Sequence, residues 1–160
     1  MIFVTTGTQE PFDRLVKAID ELALIFPDAE FKVQAFTANY KPVNIDVFNK
    51  TPPSEFDLSI KNADLVISHA GMGTIISALV NSIPIIVMPR LLIYGEHRNE
   101  HQLATAKKLD DLGYVHVAYN EDELIAKVKS IWPNNLESLH KVGKVASKEL
   151  IDSLSNFINQ

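Results

Sequence analysis

The chain has 160 residues, 46% of them apolar, a formal charge of −5 and no cysteine. That length suits one domain that buries a core without disulfides or metals, and the missing cysteine removes thiolate zinc sites and cysteine nucleophiles. An acidic balance without a block of like charge argues against nucleic acid as a partner.

The N-terminus lacks the basic head and long apolar stretch of a signal peptide. No run of about 18 apolar residues is present either. A soluble, cytoplasmic chain is therefore expected, with any membrane role supplied by a partner.

Ile2 to Thr5 is an apolar, β-branched run ending at Gly7, which predicts a buried strand and a turn. Pro11 stands where a helix can begin, and Phe12, Leu15, Val16, Ile19 and Leu22 follow at helical spacing up to Pro27. Phe31, Val33 and Ala35 alternate with polar residues as a second strand, and Val43 to Phe48 reads as a third. Pro52-Pro53 breaks the chain, and Ser54 can cap a helix over Glu55 to Asn62.

Asp64 to Ser68 predicts a fourth strand, followed by a helix from Thr74 to Asn81 and a fifth strand from Pro84 to Met88. Asn99 to Leu112 has helical character and stops at Gly113; Tyr114 to Ala118 is a sixth strand. Glu121 to Ile131 and Asn135 to Phe157 are amphipathic helices. Lys141, Lys144 and Lys148 lie on the last one, as a solvated face or one beside anionic lipid headgroups. The alternation predicts a single α/β domain over residues 1–160, Rossmann-like, with a mostly parallel sheet and helices on both faces.

In such a sheet ligands gather at the carboxyl ends of the strands. Ser68-His-Ala-Gly-Met-Gly-Thr74 joins a strand to a helix, and its glycines let backbone amides converge as a phosphate cradle. The plainer reading is a turn using glycine for positive φ. Thr6-Gly-Thr-Gln9 offers a second such turn, or a cap by Thr8. Tyr94 to Gln102 is crowded with donors and acceptors suited to sugar hydroxyls, or is a solvated loop with Asn99 as a helix cap.

Other phosphate and metal chemistries fit poorly. There is no G-x-G-x-x-G after the first strand and no Gly-Lys-Ser or Gly-Lys-Thr. No D-x-D is available to clamp a metal-bound pyrophosphate, and His97 with His101 lacks further ligands placed by sequence. No cofactor or metal is expected.

Ile2 to Leu15, Ala63 to Thr74 and Asn99 to Ala104 closely resemble PssE/EpsE-type polysaccharide-biosynthesis glycosyltransferases. The same blocks resemble the catalytic subunit of the split dolichol-linked N-acetylglucosamine transferase and the C-terminal half of the lipid II N-acetylglucosamine transferase, all in glycosyltransferase family 28. The resemblance implies the C-terminal, UDP-sugar-binding domain of a GT-B fold, made as a separate polypeptide. Its acceptor would be a lipid-linked saccharide of exopolysaccharide or capsule synthesis. A membrane-anchored PssD/EpsD-like partner would bind that acceptor, recruiting this chain to the inner face of the membrane.

By position, Gly7, Thr8 and Gln9 would line the first phosphate loop and Ala70, Gly71, Met72, Gly73 and Thr74 the second. Glu100, His101 and Gln102 would grip donor hydroxyls. Where the lipid II enzyme has a ribose-binding Glu, this chain has Ser77, and no such role passes to it. The implied reaction is an inverting, metal-independent hexosyl transfer. His69 is the local candidate for a catalytic contact, or else a neutral histidine at a strand end, and the base can lie on the partner. A non-catalytic partner of another transferase and a stand-alone epimerase are the rival readings. A half-enzyme predicts an apolar patch near the Gly7 and His69 loops, or self-association when alone.

Overall fold

The computed structural model describes residues 1–143. In chain order the elements are β1 (Ile2–Thr5), α1 (Asp13–Ile25), β2 (Phe31–Gln34), β3 (Val47–Phe48), α2 (Pro53–Asn62) and β4 (Leu65–His69). They continue with α3 (Met72–Val80), β5 (Ile85–Met88), a 3-10 turn at Leu92–Tyr94, α4 (His101–Asp111), β6 (His116–Val117) and α5 (Glu121–Ile131). The six strands form one sheet in the order β3-β2-β1-β4-β5-β6, with every pairing parallel. This is the Rossmann-like arrangement that the alternating pattern predicts.

Strand alternation divides the core between the two faces. Ile2 and Val4 of β1, Leu65 and Ile67 of β4, and Ile86 and Met88 of β5 pack with the apolar stripes of α1 and α5. Phe3, Val66, Ile85 and Val87 point the other way, toward Ile60 of α2, Ile75 and Leu79 of α3 and Leu109 of α4. Both faces are covered, so the central strands tolerate almost no polar side chain until their carboxyl ends.

Several boundaries differ from the sequence pattern for identifiable reasons. The third strand shrinks to Val47–Phe48 because the amides of Val43 and Asn44 donate to the Asp20 carboxylate instead of a ladder. Asp13 similarly accepts from the amides of Ala38, Asn39 and Tyr40. Two α1 side chains thus fix the irregular β2–β3 connection. α2 begins at Pro53 with Pro52 as N-cap and no side-chain cap, so Ser54 lies inside the first turn.

The sixth strand keeps only His116–Val117, since Gly113 turns left-handed (φ +65°) and the Tyr114 amide closes α4 on the Leu109 carbonyl. Residues 135–143 are not helical. Leu136 packs on the α1/α5 face and Val142 on the opposite one. A segment passing between faces needs extended reach that a helix lacks. Tyr114 stacks on His140 along this path, with ring centroids 3.9 Å apart. The rest of the helix expected over Asn135–Phe157, with Lys144 and Lys148, lies outside the described residues.

Burial pushes the Asp20 carboxyl up, but the Tyr40 hydroxyl and the Asn44 and Val43 amides outweigh it and hold it below its ordinary value. Replacing Asp20 by Ala strands those donors and should lower unfolding free energy by about 2 kcal/mol in urea titrations. A carboxyl depressed by folding stabilises above its unfolded value, about 3.9. In the parent protein this contribution should be complete near neutrality and fade as pH falls through the lower folded value; the Asp20→Ala variant should lack that part of the acid slope.

Candidate functional site

β1 and β4 are hydrogen-bonded neighbours with Thr5 opposite Ser68, so the turns that leave them emerge side by side. In the first, Gly7 takes a left-handed conformation (φ +78°) that a side chain resists. The Thr6 amide donates to the Gln34 carbonyl, and the Gly7 amide donates to Thr5 Oγ1 at 3.2 Å. The amides of Thr8 and Gln9 donate to no protein group among the described residues. Gly7 therefore shapes the turn with its backbone, and the donors open to a ligand come one and two residues later.

The second turn folds tightly, with the Gly71 amide bonded to the His69 carbonyl at 2.8 Å. The His69 ring lies between the two turns. A Cβ on Gly71 would stand 2.3 Å from its Nε2, and one on Gly7 would stand 3.0 Å from its Cε1. Both glycines make room for the imidazole. Gly73 differs, because a Cβ there meets nothing within 4 Å and would project into open space.

α3 starts at Met72 with Gly71 as N-cap and no side-chain cap. Its start lies two residues before the expected Thr74, which moves the free amides of Met72, Gly73 and Thr74 into the first turn. Uncapped amides at the positive end of a helix dipole favour an anion.

A cleft of about 700 Å3 opens over these turns. Among the expected residues, Gly7, Thr8, Gln9, His69, Gly71, Gly73, Thr74 and Gln102 line it, whereas Ala70, Met72, Glu100 and His101 do not. Ala70 points into the core at 4% exposure, and Met72 faces outward. Glu100 is the N-cap of α4 and His101 its first residue, and both side chains are exposed away from the cleft. Asn99 is not the N-cap of α4, but it lines the cleft and its Oδ1 accepts from the His101 amide at 3.1 Å.

The cleft lining also includes Arg90 and Glu10, which the sequence reading passed over, and His97 and Arg98 from the polar Tyr94–Gln102 loop that it singled out. Arg90 follows β5 directly and is 4% exposed. One of its amino groups donates to the carbonyls of Thr6, at 2.8 Å, and Glu10. Its backbone amide donates to Gln102 Oε1 at 3.1 Å, and its guanidinium lies over the Phe12 ring. The detectable signal was an arginine at the carboxyl end of a wholly apolar strand. Beneath the same loop Glu96 takes Arg14 in a two-pronged pair, at 2.7 and 2.9 Å, and accepts from the Leu91 amide.

Burial, and after it the nearby Arg90 charge, push His69 down to about 4 despite the pull of the Thr5 backbone. Its Nδ1 is buried with no hydrogen-bond partner among the described residues. His69 is therefore neutral at pH 7. Outside the cleft, Met72 and Ile76 on α3 and Leu92, Ile93 and Tyr94 after β5 are exposed apolar side chains. Among the described residues no group of His, Asp or Glu is placed to hold a metal ion, and no helix is long and apolar enough to cross a membrane.

The model of the glycosyltransferase family 28 C-terminal domain matches residues 1–155. The chain belongs to that family. Among curated proteins this family 28 domain is similar to "UDP-N-acetylglucosamine transferase subunit ALG13" of Cryptococcus neoformans, 33% identical over 108 residues, which are 65% of the chain and 52% of the relative. The human protein of the same name is 29% identical over 131 residues, 71% of the chain and 10% of that protein. The chain thus spans about half the length, or less, of these relatives.

The solution structure of ALG13 shares the fold with a TM-score of 0.60 at 23% identity, covering 96% of this chain and 93% of that one. The kitacinnamycin glycosyltransferase superposes with a TM-score of 0.57 at 22% identity, over 83% of this chain but 35% of that one. The fold is that of the C-terminal domain of GT-B glycosyltransferases.

Two glycines two residues apart should behave oppositely. Gly71→Ala drives a methyl into the His69 ring and should lower the melting temperature by several degrees. Gly73→Ala should melt within a degree or so of the parent, because its methyl enters open space; any loss of anion binding would then be steric at the cleft. For His69, proton-detected imidazole shifts should stay flat from pH 8 to 5 and move only near pH 4. A midpoint near 6.5 would contradict the buried, neutral ring. Because folding lowers this pKa, the unfolded chain takes up the proton first, so His69 should cost stability progressively as pH falls from about 6.5 toward 4.

Proposed function

We propose that this chain is the donor-binding part of a UDP-sugar-dependent glycosyltransferase, adding a hexose to a lipid-linked saccharide together with a membrane-anchored acceptor-binding partner. One observation carries the reading: two turns on adjacent strands, an uncapped helix start and the buried Arg90 cation all border a common cleft. That arrangement suits a diphosphate, whose charge grows as it leaves the anomeric carbon. Fixed amides of Thr8, Gln9, Met72, Gly73 and Thr74 would stabilise that charge most in the transition state. Gln102 and Asn99 lie at the same cleft, where they can hydrogen-bond sugar or ribose hydroxyls.

The relatives' name supports UDP-N-acetylglucosamine as the first donor to test and supports a subunit role. The resemblance to the PssE/EpsE type supports galactose or glucose and an exopolysaccharide acceptor. In this reading the reaction inverts the anomeric carbon, and the acceptor hydroxyl is deprotonated by a base on the partner. His69 is unsuited to that task, since an imidazole held near 4 is a weak proton acceptor at neutral pH. Its role is to fill the space between the two turns and present a neutral ring to the cleft. The working enzyme would stand at the cytoplasmic face of a membrane.

Calorimetric titration with UDP tests the donor site directly, and saturable one-to-one binding is expected. Absence of binding to folded protein would overturn the reading. Co-expressed with its adjoining partner gene product, the chain should transfer one sugar from a panel of UDP-hexoses, and turnover should survive EDTA. Loss of turnover to EDTA, restored by Mg2+ or Mn2+, would show that a cation and not the protein's own groups carries the leaving group.

A further inference from the structure

Arg90 presents an imbalance that the fold does not explain. Its side chain is buried at 4% exposure, yet among the described residues no carboxylate lies within ion-pair distance of it. Buried charges ordinarily have a partner, because desolvating an unpaired cation is costly. Arg14, one layer away, shows the usual solution, paired to Glu96 and Glu121. Arg90 instead meets two carbonyl oxygens, and its buried Nε has no partner among the described residues. The same side chain lines the cleft.

The two carbonyls it engages are those of Thr6 and Glu10, the two ends of the β1 turn. An anion-binding turn needs its amides outward and its carbonyls elsewhere. By taking the end carbonyls, the guanidinium ties the turn shut from within and leaves the Thr8 and Gln9 amides facing out. The Phe12 ring beneath it, 5.0 Å from the guanidinium carbon, and the Gln102 side chain on its backbone amide fix its position. A charge held this way acts on the cleft without flexing toward it.

We infer that Arg90 is the built-in counter-charge of the cleft, a positioning residue that holds the Thr6–Glu10 turn and reserves an unpaired positive charge for the diphosphate of the donor. The inference rests on the proposed donor site and assigns a residue to it. Glu10 and Glu96 offset part of the charge through space, and His69 and His97 are the titratable rings near it. In the resting protein that field adds to the larger effect of burial in keeping His69 from taking up a proton.

The test compares UDP with uridine on the parent protein, Arg90→Lys and Arg90→Met, by NMR shift titration. Arg90→Met should weaken UDP roughly 30-fold or more, as expected for losing a charge-assisted contact and the turn it holds. Uridine affinity should change less than about threefold in the same variant. Arg90→Lys keeps the charge but not the two-carbonyl bridge, and should fall between. The His69 shifts supply an independent readout: the midpoint near pH 4 should rise in Arg90→Met and stay low in Arg90→Lys.

Equal losses for UDP and uridine, or an unmoved His69 midpoint in Arg90→Met, would overturn the inference and leave Arg90 as a structural strut. If Arg90→Met does not fold, Arg90→Lys decides by its UDP-to-uridine ratio, an unchanged ratio counting against the inference. If the parent protein binds neither ligand, the donor-site proposal itself fails, which separates the two outcomes.

Discussion

The parallel pairing of β1 with β4 is the constraint on which the site depends. With Thr5 beside Ser68, the chain must leave both strands at the same height on the same edge of the sheet. Each strand is apolar up to that level and polar beyond it, so the edge is where the backbone can stop serving the core. Side chains at positions 7 and 71 would both run into the His69 ring. Glycine at positions 7 and 71 relieves the conflict, and the imidazole of His69 fills what the glycines leave. Strand order, glycine placement and the half-buried histidine are one packing solution.

That solution has an electrostatic side. Burial and then the neighbouring Arg90 charge keep His69 uncharged, so the positive potential at the turns comes from Arg90 and the start of α3. A protonated ring would add charge but would need a partner that the pocket does not provide. Keeping the donors fixed and His69 neutral leaves the turns with a positive potential that comes from the backbone and Arg90 and not from the protonation of that ring.

The fold was legible from the sequence because its strands are short, apolar and separated by well-marked helices. The glycine turns were legible for the same reason: glycine after an apolar strand has few other uses. What escaped was anything decided by contacts between distant segments. Val43 to Phe48 has a strand's pattern, yet Asp20, more than twenty positions earlier, claims its first amides. Asn135 to Val142 has a helix's periodicity, yet its apolar side chains serve opposite faces of the sheet. Glu100, His101 and Gln102 are neighbours in sequence, but of the three only Gln102 lines the cleft, because α4 begins at His101 and sets their side chains in different directions. Arg90 carries no motif, and only its burial and its missing partner mark it.

The β2–β3 connection keeps its course because Asp13 and Asp20 collect five of its backbone amides, those of residues 38, 39, 40, 43 and 44. Backbone amides are common to every residue except proline, so the anchor reads little of the loop's side chains beyond the Tyr40 hydroxyl and the Asn44 amide group. The loop's own proline, Pro42, falls at a position whose amide is not collected. This segment is consequently a place where composition can drift while shape persists: a stretch that can be rewritten, by divergence or by grafting, without unseating the sheet beside it.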